Sequence, residues 1–272
     1  MSLVDLHLHT RESDGRMSVH QLIEFISTTK LKVISITDHD TTNGLDQAFT
    51  IIKQHPSLTL IPGIELSTDI PDDEIHILGY YIDYKNQQFQ NKLLEFRAGR
   101  VDRAQLMIQK LSELGMHITW NRVKEIAGEG TIGRPHLALA LVEKGYFTEP
   151  KQAFKNHLNR TGLAYVEVPK MTPFEGIELI KSVGGKAVLA HPNELSNKAN
   201  HIESLKNHGL DGIEIFYPGY DETIVNNLLR LSQKFDLIPC GGSDYHGLGN
   251  TGETLPGHIG PPMSSVEKLT KR

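Results

Sequence analysis

The sequence predicts an α/β fold: a closed or nearly closed barrel of about seven strands, interrupted by a block of helices. Three observations carry this reading. Short apolar runs rich in β-branched residues alternate with amphipathic helical stretches, the pattern of a parallel sheet with right-handed crossovers. From about Phe96 to Gly162 the strand signal disappears and only helical periodicity remains. Histidines and carboxylates recur at the carboxyl ends of the candidate strands, where such barrels build their sites. At 272 residues, 38% hydrophobic and 22% charged, the chain can bury a large core, and barrels of this length are often single domains.

The elements follow in order. Candidate strands span 3–8, 33–37, 58–64, 75–82, 186–190, 211–216 and 237–241. The first lies in "VDLHLHTRESDG", where Val4, Leu6 and Leu8 share one face and Asp5, His7 and His9 the other. Ser18 and Gln21 form a capping box, and Val19, Leu22, Ile23 and Ile26 make the helical stripe behind it. "VISIT", "KAVLA" and "GIEIF" read as buried strands. In the helical block, Val101, Ala104, Met107, Ile108, Leu111 and Leu114 mark a long helix ended by Gly115. Thr119 starts a second helix, Pro135 opens a third that stops near Gly145, and 149–159 form a fourth. In "TPFEGIELIKSVGG", Thr172 caps, Pro173 takes the first position, Glu175 closes the box, and Gly184 and Gly185 stop the helix. The barrel is thus expected over 1–95 and 163–272, with a helical domain inserted at 96–162. The stretch 97–134 is net basic within an acidic chain, which suits an anionic ligand received on that side.

The formal net charge of −5 gives no global attraction to nucleic acid. The lone Cys240, expected in the core, rules out an internal disulfide and fits a reducing, cytoplasmic compartment. No basic and apolar leader precedes the first strand, so no signal peptide is expected. No apolar run approaches the roughly 18 residues of a membrane helix. The unusual count is 14 histidines.

Strand one ends in His7 and His9, with Asp14 beyond. "TDHD" supplies Asp38, His39 and Asp40, "PGIEL" supplies Glu65, and "EIHILGYY" carries His76. "LAHP" ends in His191, and "GGSDYH" holds Asp244 and His246. Singly, each reads as a hydrogen-bonded rim residue or a helix cap. Together, six histidines and three carboxylates at one rim cannot all be caps, and few Lys or Arg lie near them in sequence. Metal cations supply the missing charge, and mixed imidazole and carboxylate ligation suits zinc, manganese or iron. The absence of cysteine points to a catalytic cluster rather than a structural zinc knot. Asp5, Asp38 and Asp40 read as groups that orient the imidazoles or hold the loops, and Gly241-Gly242 as a close backbone approach.

The motifs "DLHLHTRESDG", "TDHDT", "PGIELS", "HILGY", "AHP" and "GSDYH", in this order, resemble the PHP (polymerase and histidinol phosphatase) family of metal-dependent phosphoesterases. The resemblance implies a distorted (β/α)7 TIM-like barrel binding two or three divalent ions (Mn2+, Fe2+ or Zn2+). Carried over by motif, it implies one metal on His7, His9, Glu65 and Asp244. A second shares Glu65 and takes His76 and His191, and a third takes Asp14, His39 and His246. Glu65, Asp244 and His191 are the expected catalytic residues.

"GTIGRPHLA" and "AYVEVPKMTP" look like segments of the PHP proteins that dephosphorylate nucleotides, including 3′,5′-bisphosphonucleotides, and trim short RNA from its 5′ end. That similarity implies substrate contacts from Arg134, His136 and Lys170. Arg134 offers a planar fork suited to phosphate and Lys170 a mobile point charge. The expectation is therefore hydrolysis of a phosphate monoester, of a nucleotide or short RNA end, by a metal-activated hydroxide. The alternatives are a histidinol phosphatase, or an amidohydrolase-like enzyme, although no Lys ends a strand where such an enzyme bridges its metals. No membrane and no protein partner is implied.

Overall fold

The β-branched runs pair side by side into one sheet. In the computed structural model, which describes residues 1–70, 74–128, 130–167, 171–249 and 252–271, the strands lie in chain order. They are β1 (Val4–Leu8), β2 (Val33–Ile36), β3 (Thr59–Asp69), β4 (Glu74–Tyr80), β5 (Lys186–Leu189), β6 (Gly212–Phe216) and β7 (Ile238–Gly241). Leu8, at the end of β1, and Tyr245, just past β7, form a parallel bridge, so the barrel is nearly closed.

The sheet is not wholly parallel, and this corrects the sequence expectation. β4 runs antiparallel to both β3 and β5, while the other neighbours are parallel. The physical reason is length. β3 continues past residue 64 to Asp69, and the link to Glu74 is far shorter than the dozen or so residues a parallel crossover needs. The reversal matters for the site. His76 lies near the start of β4, and the antiparallel register sets it beside Ser67, at the rim where the parallel strands end.

Helices cover the outside: α1 (Val19–Ser27), α2 (Leu45–Ile51), α7 (Pro173–Ser182), α8 (Lys198–Asn207), α9 (Glu222–Lys234) and α10 (Met263–Thr270). Both expected capping boxes are present. Ser18 Oγ accepts from the Gln21 N–H at 3.2 Å, and Thr172 Oγ1 accepts from the Glu175 N–H at 3.3 Å. Between β4 and β5 the chain forms α3 (Gln87–Glu113), α4 (Trp120–Ala127), α5 (Arg134–Glu143) and α6 (Pro150–Ala153). Here α3 starts at Gln87, capped by the Asn86 side chain, earlier than its apolar stripe suggested. Its 27 residues join two cores: Phe89 and Leu93 pack with the barrel, Ala104, Met107 and Leu111 with the helical block.

Beneath the rim the interior is apolar, with Val33, Ile61, Leu78, Tyr80, Val188 and Cys240 in one buried cluster. Each such large side chain contributes roughly 1.5–3 kcal/mol on burial. The Tyr80 hydroxyl donates to the Leu6 carbonyl at 3.0 Å. Cys240 is fully buried, and burial pushes its thiol well above the usual range, as a core cysteine requires. Among the described residues no helix is long and apolar enough to cross a membrane.

Candidate metal centre

The nine side chains expected at the rim meet there. Glu65, 1% exposed on β3, is the hub. Its Oε2 lies 3.1 Å from His7 Nε2, 3.3 Å from His9 Nε2 and 3.2 Å from His39 Nδ1. Its Oε1 lies 2.9 Å from His76 Nδ1 and 3.3 Å from His191 Nε2. Asp244 Oδ1 faces His7 Nε2 at 3.3 Å and His9 Nε2 at 3.1 Å. Asp14 faces His246 Nε2 at 3.3 Å, and His9 and His39 at 3.8 Å. Among the described residues, three groups have donor atoms close enough to share an ion: His9, Asp14, His39 and His246; His7, His9 and Glu65; and His39, Glu65 and His76. These overlap the sets carried over by motif but join His9 to the Asp14 group and His39 to His76.

The residues fit a cation. Among the described residues, both ring nitrogens of His9 and Asp14 Oδ1 are buried in ion-pair contact but without an aligned hydrogen bond, a condition costing about 1–3 kcal/mol per group. A cation surrounded by nitrogen and oxygen donors satisfies such atoms at once. The electrostatics agree. Burial raises Glu65, but His39, His7 and His76 outweigh it and hold the carboxyl well below its usual range. Against the same burial, His246 and His39 depress Asp14, and His7 and His246 depress Asp244. Burial opposes charge on the imidazoles, yet Asp244, Glu214 and Glu65 hold His7 well above its usual range. His191 is pushed up to about 10 by Glu194 and Glu65, and His246 to about 10 by Asp14, in each case against burial. At His39 burial wins, and its pKa falls to about 4.

The supporting aspartates hold loops. Asp38 accepts from Thr10 N–H and Oγ1 at 2.7 Å and from Ser13 Oγ at 2.6 Å, fixing the turn that presents Asp14. Asp5 accepts from the Ser243 N–H at 2.9 Å, tying β1 to the Asp244 loop. Asp40 accepts from the Ser67 N–H at 2.8 Å and from Arg100 Nε at 2.6 Å. The expected close approach occurs at Gly242, where a Cβ would stand 2.4 Å from His7 N. His20, His55, His117, His157, His201, His208 and His258 belong to none of the three groups.

Beside the cluster opens a cavity of about 220 Å³, walled by Asp14, His39 and His76 on one side and by α3 and α5 on the other. Arg134 lines it, with Nη2 donating to Glu74 Oε2 at 2.6 Å. His136 does not line it. It is buried in the first turn of α5, and its Nδ1 accepts from the Gly133 N–H at 3.0 Å. Lys170 lies outside the described residues.

Sequence reasoning missed Arg100 and Arg103, which also line the cavity. Arg103 is 7% exposed, its guanidinium sits 4.8 Å from the Tyr165 ring centroid, and its Nε and Nη2 have no hydrogen-bond partner among the described residues. A signal existed: Arg100, Arg103 and Met107 recur at helical spacing beside the apolar stripe of α3. Glu214, inside "GIEIF", was also missed, because a carboxylate within an apolar strand reads locally as no more than a strand residue.

The PHP domain family profile matches residues 5–146. The 5'-3' exoribonuclease Rnm of Escherichia coli is 32% identical over 90% of this chain and 85% of its own length. The 3',5'-nucleoside bisphosphate phosphatase of Chromobacterium violaceum is 27% identical over 95% of this chain and 92% of its own. Among solved structures, a Bifidobacterium adolescentis protein provisionally assigned as a metal-dependent phosphoesterase is 30% identical. It superposes with a TM-score of 0.88, covering 98% of this chain and 94% of that one.

Proposed function

This chain belongs to the PHP domain family, and from that premise we propose that it is a metal-dependent hydrolase of phosphate esters acting on nucleotides. Its substrates are 3′,5′-bisphosphonucleotides, AMP or the 5′ ends of short RNA, and it works in the cytoplasm. The observation that carries the reading is the meeting of two features at one rim. Ligand-type nitrogen and oxygen atoms crowd around Glu65 and Asp14, and a cavity walled by Arg100, Arg103 and Arg134 reaches Asp14, His39 and His76 at the edge of that cluster.

In this reading His7, His9, Asp14, His39, Glu65, His76, His191, Asp244 and His246 hold two or three divalent ions, of manganese, iron or zinc. Bound there, such ions supply Lewis acidity, lowering the pKa of water from about 16 toward 7 and offsetting charge on phosphoryl oxygens. The chain's own groups do the rest. Glu65, with one oxygen toward His7 and His9 and the other toward His76 and His191, spans two neighbouring ligand sets. The helical block, which we take as a domain inserted at 96–162, receives the nucleotide. Arg103 offers a phosphate two N–H groups that are unpartnered among the described residues, and Arg134 offers its fork on release from Glu74. Lys170 adds a further positive charge.

The test is phosphate release by the purified protein with Mn2+ from 3′,5′-bisphosphoadenosine, AMP, histidinol phosphate and a short 5′-phosphorylated RNA. Turnover of the nucleotides or the RNA is the expected outcome. Turnover of histidinol phosphate alone overturns the substrate class, and no release from any of the four overturns the activity.

A further inference from the structure

Neither β6 nor the stretch just beyond it carries one of the nine proposed ligands, yet two residues there reach three of them. Glu214, fully buried in the middle of the strand, places Oε1 3.1 Å from His7 Nδ1. Its Oε2 accepts from the His191 backbone N–H at 2.9 Å. One residue past the strand end, the Tyr217 hydroxyl donates to Asp244 Oδ2 at 2.8 Å, with its ring 5.7 Å from that of His191.

The geometry points to β6 as the strand that aims the ligands: we propose that Glu214 and Tyr217 are positioning residues that fix His7, His191 and Asp244 for cation binding. This rests on the metal reading of the site. Three physical points support it. With Nδ1–H donating to Glu214, the other nitrogen of His7, Nε2, is left to face Glu65 and Asp244. With Oδ2 of Asp244 taken by Tyr217, Oδ1 is the oxygen turned to His7 and His9. And both His191 (φ 30°) and Asp244 (φ 50°) adopt the left-handed backbone region, which costs a non-glycine residue about 1–3 kcal/mol and persists only where neighbours enforce it. Each of these strained residues is held by one of the two β6 groups.

The chemistry at Glu214 demands a carboxylate. Two N–H groups converge on it, from the His7 ring and the His191 backbone, and only a group with two acceptor oxygens serves both. An amide of the same shape must turn its NH2 toward one donor and leave that donor unpaired. Neither Glu214 nor Tyr217 lines the cavity, so a loss of either acts on ion binding and turnover and spares substrate affinity.

The experiment is calorimetric titration of Mn2+ into the chelator-stripped full chain, for the wild type, Glu214→Gln, Tyr217→Phe and Tyr220→Phe. Thermal melts check folding, and kcat and KM are measured on the loaded proteins. Tyr220 is the control: its hydroxyl accepts from the Asn193 N–H at 3.0 Å and, among the described residues, hydrogen-bonds to none of the nine proposed ligand side chains. Glu214→Gln and Tyr217→Phe are expected to weaken Mn2+ binding about 10- to 100-fold. Their kcat falls at unchanged KM, while Tyr220→Phe binds as the wild type does. Should Glu214→Gln fail to fold, Tyr217→Phe decides. Wild-type Mn2+ affinity in Tyr217→Phe and in any folded Glu214→Gln, or an equal loss in Tyr220→Phe, overturns the inference alone. A folded wild-type chain that binds no Mn2+, Fe2+ or Zn2+ overturns the metal reading itself.

Discussion

Arg103 is where stability and function should pull in opposite directions. Its guanidinium is buried in the cavity wall, and Nε and Nη2 donate to nothing among the described residues. Burial and then the nearby Arg134 depress its pKa to about 10. Each unpaired buried donor costs about 1–3 kcal/mol. The contact with the Tyr165 ring returns about 0.5–2 kcal/mol. With two such donors, the ligand-free protein therefore carries a net cost of roughly 3 kcal/mol at this residue. Arg103→Met keeps much of the volume and the apolar stem while removing the charge. The expected result is a Tm raised by roughly 5–10 °C in the ligand-free protein. The same change removes two charge-assisted hydrogen bonds to substrate, worth about 1.5–3 kcal/mol each. That raises KM for 3′,5′-bisphosphoadenosine by about 100-fold or more. Scanning fluorimetry reads the first effect and a phosphate-release assay the second. A lower Tm together with an unchanged KM would make Arg103 a packing residue and refute the reasoning.

Other outcomes follow from the same geometry. Glu65→Gln removes the charge facing five imidazoles, so phosphate release should drop at least about 1,000-fold, about 4 kcal/mol in barrier, with the bound-metal content measured alongside. Full activity in that variant would remove Glu65 from the site. In chelator-stripped protein, His191 and His246 have pKa values near 10, above their unfolded values. Their contribution is complete below about 6.5 and is lost as pH rises toward 10, so Tm measured in EDTA should decline over that window. A Tm that climbs from pH 7 to 10 would contradict the ion pairs. Gly242→Ala forces a Cβ to 2.4 Å from His7 N and 2.7 Å from Asp5 Oδ1, and should cost about 1–3 kcal/mol, read as a lower urea midpoint. An unchanged midpoint would mean that β1 and the Asp244 loop are not held so closely.

Much of this molecule was legible because local chemistry declares itself. The strand limits around VISI, KAVL and GIEIF and the boxes at Ser18 and Thr172 depend on neighbours a few residues away. So does the recurrence of histidine and carboxylate at strand ends, which marked nine residues that the fold brings to one rim. The direction of β4 was not read, although the short link after Asp69 carried the information, because a run of apolar residues looks the same in either direction. Arg103 and Glu214 were missed for a related reason: helical and strand periodicity say which face a side chain occupies, not what stands across from it.

By itself, then, the sequence determined which residue types were available, and at which strand ends. Only the tertiary structure decided that His7 meets Glu65 and Glu214, and that an arginine of α3 faces the cluster across an open cavity. Those meetings join residues far apart in the chain. They arise from strand register and near-closure of the barrel, which the packing of the whole sheet sets and no short stretch encodes.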